Sequence, residues 1–155
     1  MTGYRDQQYG TWMLAALADA RIAVNTGDVP VAAVVLDAAG HPIGHGRNER
    51  EKSGDPTAHA EILAIREAAQ ATGEWRLENT TLVVTLEPCS MCAGAILAAR
   101  IPRVVFGAWD EKAGAAGSVN DLLRDRRLPH KVEVVAGIEA DACALVLREF
   151  FEARR

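Results

Sequence analysis

No stretch of this 155-residue sequence approaches the ~20 consecutive apolar residues that a membrane-spanning helix needs, so no contact with a bilayer is expected. The segment from Met1 to Gly10 is polar and holds no signal-peptide core, which makes a cytoplasmic location the expectation. Cysteine is scarce, with three residues in all. Three is no basis for a disulfide framework; in a chain without an export signal they point to metal or thiol chemistry. There is no internal repeat, low-complexity tract or linker to divide the chain, so residues 1–155 read as one domain with one sizeable core.

Positive charge is also short. The formal net charge is −4, which does not announce a nucleic-acid binder. The distribution is uneven, however: residues 1–99 carry 7 Lys/Arg against 12 Asp/Glu, whereas residues 100–155 carry 10 against 9. Arg124, Arg126 and Arg127 therefore form either a solvated face or part of a local basic patch, and phosphate binding needs no more than such a patch.

Hydrophobic spacing orders the elements. Tyr9, Met13, Leu17, Ala20 and Val24 recur at three- and four-residue intervals and predict a helix over 6–25. Val31 to Leu36 is a continuous apolar run suited to a strand buried on both faces, and a short strand follows from Pro42 to about Gly46. Asn48 to Asp55 reads as a polar loop. Then come a helix over 57–71, a strand over 81–86, a helix over 89–100, a strand over 103–107, a short helix near 119–127, a strand over 132–136 and a helix over 139–151. This alternation predicts a three-layer α-β-α sandwich on a mixed five-stranded sheet. The two dozen residues between the last two strands are enough for a crossover, so those strands should be parallel.

Two segments carry chemistry. Pro88 can open a helix, which places Cys89 and Cys92 on one face of its first turn, where the helix dipole favours thiolate. Alone, this C-x-x-C fits a thioredoxin-like redox pair or a structural zinc site equally well. His59, at the start of the preceding helix, adds a third ligand of the kind zinc accepts and leaves a fourth tetrahedral position for water. A structural site would need a fourth protein ligand. The remaining cysteine, Cys143, lies on a stripe with Val146, Leu147, Phe150 and Phe151 that reads as core.

Glu61, two residues beyond His59, faces Ala64 and Ile65 along its helix, so no cation is offered at i+3 or i+4. A carboxyl so placed is partly desolvated and suited to general acid/base work on the metal-activated water. H-x-E followed by P-C-x-x-C is the joint signature of zinc-dependent nucleobase deaminases.

Beyond these motifs the chain resembles the bacterial tRNA adenosine deaminase family from about Tyr9 to Phe151. The matching stretches are Val29-Pro30-Val31, Gly46-Arg47-Asn48, Asp55 to Ile62, Thr85 to Ile96, Arg100-Ile101 with Val104 to Gly107, and Lys112 to Ser118. The resemblance implies a cytidine deaminase-type fold and one Zn²⁺ per subunit with no organic cofactor. It also implies a homodimer that converts the wobble adenosine of a tRNA anticodon loop to inosine with release of ammonia. By matching position, Asn48 would contact the flipped adenine, Asp110 would contact nucleotide sugar, and the backbone at Leu86 and Glu87 would line the pocket.

Other readings stay open. Asn48 also fits a turn residue, and Asp110 a loop-capping carboxylate. The chain departs from the family's usual pattern at Ala32, where glycine is common, at Asp28, where Glu is, and at Trp109, where Arg is. Arg148, Arg154 and Arg155 around Phe150 and Phe151 form either a solvated tail or a basic, aromatic edge for RNA. His41, His45 and His130 are expected in turns. A free-base or nucleoside (guanine or cytosine) deaminase of the same fold is the rival enzyme, and a non-enzymatic zinc or redox module the rival of another class.

Overall fold

A computed structural model describes residues 3–155 of the chain. Helix α1 (Gly3–Ala23) leads through a 3-10 turn to strand β1 (Ala32–Leu36) and the hairpin strand β2 (Pro42–Arg47). A four-residue helix α2 (Arg50–Ser53) precedes α3 (Ala60–Thr72), β3 (Thr81–Leu86), α4 (Ser90–Ala98) and β4 (Arg103–Ala108). A long loop with one 3-10 turn, Leu122–Arg124, then reaches β5 (Glu133–Val135) and α5 (Ala140–Glu152).

The five strands form one sheet in the order β2-β1-β3-β4-β5. β1 is antiparallel to both β2 and β3, whereas β3–β4 and β4–β5 are parallel, the last as the length of its connection predicts. Every residue of β1 is buried because both faces are covered. Ala33, Val35, Leu82 and Val84 pack against α3 and α4 through Ala60, Ala64 and Ile96. Val34, Leu36, Val83 and Val105 pack on the other face against Tyr9, Met13 and Leu17 of α1 and Cys143 and Val146 of α5. The fold is the expected three-layer α-β-α sandwich on a mixed five-stranded sheet. No helix of the described residues is long and apolar enough to cross a membrane.

Four expectations shift. Val24 falls outside α1 and is exposed, and so is Phe151, whereas Cys143 is buried as expected. α3 and α4 begin later than their prolines suggest, because His59 and Cys89 are extended cap residues, at φ −74°, ψ 153° and φ −75°, ψ 176°. The helix expected near 119–127 shrinks to three residues. There the Asp125 carboxylate takes the Arg127 N–H and guanidinium, an alternative to helical bonding. Conversely, α2 forms inside the expected polar loop because a buried carboxylate caps it.

That carboxylate is Asp28, 1% exposed. It accepts the Glu51 N–H at 2.6 Å, the Lys52 N–H at 3.2 Å and the Thr26 hydroxyl at 2.6 Å. Burial pushes its pKa up, but these three bonds and the nearby Arg50 charge outweigh burial and hold it below the ordinary 3.8. The native state therefore binds fewer protons here than the unfolded chain, and the stabilisation is present above the ordinary carboxylate range and lost as pH falls through it. Asp28→Asn should lower thermal stability at pH 7 and shrink the loss that wild type suffers below about pH 4. Parallel acid limbs in melting curves from pH 7 to pH 3 would remove Asp28 from that role.

Candidate functional site

The site lies at the carboxyl end of β3, where the chain turns into α4, beside the start of α3. Two glycines in β2 set how closely α3 approaches. A Cβ on Gly46 would collide with the Ala60 carbonyl and fall 2.7 Å from the Ala64 N, and one on Gly44 would do the same at Ala64 O and Ala68 N. With alanines at 60, 64 and 68 facing them, helix and strand meet backbone to backbone. His59, the cap of α3, and Glu61, on its first turn, are thereby held close to the sheet.

His59 Nδ1 stands 3.6 Å from Cys89 Sγ and 3.5 Å from Cys92 Sγ, and the three ligand atoms all lie within 4.8 Å of one another. Zinc bonds of about 2.05 Å to nitrogen and 2.3 Å to sulfur, meeting at the tetrahedral angle, put nitrogen and sulfur about 3.5 Å apart. Both nitrogen–sulfur separations therefore match a tetrahedral zinc ion, and Cys143 lies on α5 outside this cluster, so a fourth protein ligand does not come from cysteine. In the bare protein the Cys92 thiol donates to Cys89 and, against the opposing effect of burial, helps hold Cys89 down at about 4, while Cys92 is pushed up. The hydrogen bond to Cys89 likewise raises His59 despite its burial.

Glu61 is 4% exposed. Burial raises its carboxyl pKa, and the hydrogen bonds to its own N–H and from Cys92 offset this only in part. The expected desolvation of Glu61 is a property of the fold: its carboxyl is buried beside the ligand cluster, with Cys92 in hydrogen-bonding contact and Cys89 and His59 nearby.

A cavity of about 170 Å³ opens onto these residues. Its wall includes all the positions that resemblance singled out — Asn48, Leu86, Glu87 and Asp110 — together with His59, Glu61 and Cys89. That volume is below the ~300–1,000 Å³ of a drug-sized pocket, and suits a single base. Val29, Val31, Arg50, Ala60 and Ala113 complete the wall; sequence reasoning did not assign them to it. The turn readings hold for two side chains as well. Asn48 donates to the Val29 carbonyl at 3.2 Å and accepts from the Arg50 N–H at 3.1 Å, and Asp110 Oδ1 accepts from the Lys112 and Ala113 N–H groups at 3.1 and 3.2 Å.

Glu87 contributes more than backbone. Its side chain is 2% exposed and accepts the N–H groups of Asp110 (3.0 Å), Ala116 (3.0 Å) and Ser118 (3.1 Å), along with the Ser118 hydroxyl. Burial opposes ionisation, yet these bonds hold the carboxyl below its ordinary range. Gly114 sits against that carboxylate with no room for a Cβ. One buried anion thus ties the loop bearing Asp110 and Ala113 to the segment bearing Cys89 and Cys92. The available signal was an acidic residue ending an apolar strand. Trp109 stands on this loop half exposed, its ring edge-on to Phe106 at 4.9 Å.

Residues 6–108 match the model of the cytidine and deoxycytidylate deaminase zinc-binding region. A three-ligand zinc site with a buried carboxyl, on this sheet, is what defines that class. The tRNA-specific adenosine deaminase of Haemophilus influenzae is 50% identical over 129 residues, covering 83% of this chain and 75% of that protein. The tRNA-specific adenosine deaminase of Bacillus subtilis is 44% identical over 144 residues, covering 93% and 89%. A structure from a study of A-to-I editing by tRNA:A34 deaminases at the wobble position superposes with a TM-score of 0.81 at 41% identity, covering 85% of this chain and 95% of that one. The chain belongs to the cytidine and deoxycytidylate deaminase family of zinc enzymes, within its tRNA-specific adenosine deaminase branch.

Proposed function

We propose that this protein is a tRNA-specific adenosine deaminase, hydrolysing the wobble adenosine of an anticodon to inosine, with His59, Cys89 and Cys92 holding one zinc ion and Glu61 shuttling the proton. The observation that carries this is the buried Glu61 carboxyl beside three correctly spaced ligands on the wall of a base-sized cavity. Bound there, zinc supplies a Lewis acid that brings water toward ionisation near neutral pH.

The chain's own residues do the rest. A Glu61 carboxylate oxygen accepts the proton of the attacking water as the C6–O bond forms, and returns it to the amino nitrogen as the C6–N bond breaks. Ammonia leaves and inosine remains. Val29, Val31, Leu86 and Ala113 exclude water from around the ring. Asn48 lies against the base edge and Asp110 near the sugar. The target base has to leave its stack to enter, and a loop nucleotide gives that up at little energetic cost.

Residues 1–155 act as one domain, a reading that rests on the lack of any repeat or linker to divide them, and the enzyme works in the cytoplasm; that it is a homodimer gripping the anticodon loop rests on the family resemblance. Incubation with unmodified tRNA should release ammonia and place inosine at the wobble position, whereas free cytosine, guanine and adenosine should be turned over far more slowly. Turnover of free bases without inosine in tRNA would favour the free-base deaminase instead.

A further inference from the structure

Among the described residues Arg50 is the one permanently charged cation on the wall of the base cavity. Among the described residues its guanidinium has no ion-pair partner, unlike those of Arg47, Arg103, Arg124 and Arg127, each of which sits on an Asp or Glu. Its backbone is held firmly. The Arg50 N–H donates to Asn48 Oδ1 at 3.1 Å, and the next two N–H groups donate to the buried Asp28 carboxylate. A buried anion thus stations a free cation at the cavity. The charge lies close enough to favour ionisation of the buried Asp28.

The neighbouring wall is apolar at Val29, Val31, Leu86 and Ala113, which suits a neutral, flat ring. Adenine gives a full positive charge nothing to neutralise. In a polynucleotide the anion nearest the base is the backbone phosphate, whose geometry the guanidinium fork matches. We propose that Arg50 binds a backbone phosphate flanking the target adenosine and so selects a nucleotide within an RNA chain over a free base or nucleoside. This rests on the tRNA adenosine reaction proposed above.

The test uses the zinc-loaded enzyme and an anticodon stem-loop RNA. Arg50→Ala should raise KM about tenfold, the scale of a charge-assisted hydrogen bond, and change kcat less, with zinc content unaltered. Arg50→Lys should recover part of the loss, restoring charge without the fork. The slope of log(kcat/KM) against log salt should become shallower by about 0.7 in Arg50→Ala, one contact's worth for a single strand. Neutral methylphosphonates are then placed singly at the phosphates on either side of the target. One position should weaken wild type about tenfold and leave Arg50→Ala no worse, because the partner is already gone.

A KM for Arg50→Ala within twofold of wild type would overturn the proposal, as would methylphosphonate penalties equal in the two enzymes. Absence of inosine with wild type would overturn the reaction and the phosphate contact together, which sets that failure apart.

Discussion

Glu61→Gln is expected to lower the single-turnover rate of inosine formation by at least ~10²-fold while zinc stays bound. The substitution keeps the size and hydrogen-bonding reach of the side chain but can neither accept the water's proton nor deliver one to the leaving nitrogen. The three ligand atoms are untouched, so metal content, measured on the same sample, should match wild type. The carboxyl is buried and its pKa raised, so folding gains little from its charge, and the melting temperature should hold or rise. Zinc retained with full activity would refute the proton shuttle and return the site to the non-enzymatic zinc module. Zinc lost with activity would recast Glu61 as a support of the metal.

Gly46→Ala should be the most destabilising single-methyl change at the site. The added carbon meets the Ala60 carbonyl and the Ala64 N, both backbone atoms of α3, so no side chain can swing aside. Relief requires the first turn of α3 to move off β2, and that turn carries Ala60 and Glu61 with His59 as its cap. Overpacking of this kind costs about 3 kcal/mol, near the upper end of its usual range. In a chain of this length that is a fall of roughly 10 °C in Tm. The shift also drags His59 from the two cysteines, so zinc occupancy after dialysis against a weak chelator should drop together with kcat. A melting temperature within 2 °C of wild type and full zinc content would show that α3 and β2 are not locked as the backbone contact implies.

Gly46 and Glu61 differ in how they could be recognised. Glu61 announces itself: an acid two residues from a histidine, with apolar partners at i+3 and i+4, followed by P-C-x-x-C. Gly46 resembles any glycine at a strand end, and its need for glycine exists because α3 lies on it. Arg50 is a third case. Nothing in the run Glu49-Arg50-Glu51-Lys52 distinguishes the arginine that reaches the cavity from its solvated neighbours, since its placement depends on Asp28, twenty-two positions earlier. The Val119 to Arg127 segment fails the other way: its composition suits a helix, but Asp121 and Asp125 bond locally to arginines and the backbone follows them.

What the residues determined unaided were the quantities local along the chain. The order of elements follows from apolar spacing. The three metal ligands follow from donor chemistry and short motif distances, and the buried run of β1 from hydrophobicity on both faces. The tertiary structure decided what depends on approach between distant segments. It set the 3.5–3.6 Å separations that make His59, Cys89 and Cys92 one site, and the lock of Glu87 on the loop that carries Asp110. It also drew five unassigned residues into the cavity wall. Such contacts depend on which backbones meet and at what distance, and no periodicity in a sequence records the distance between two segments that touch only after folding.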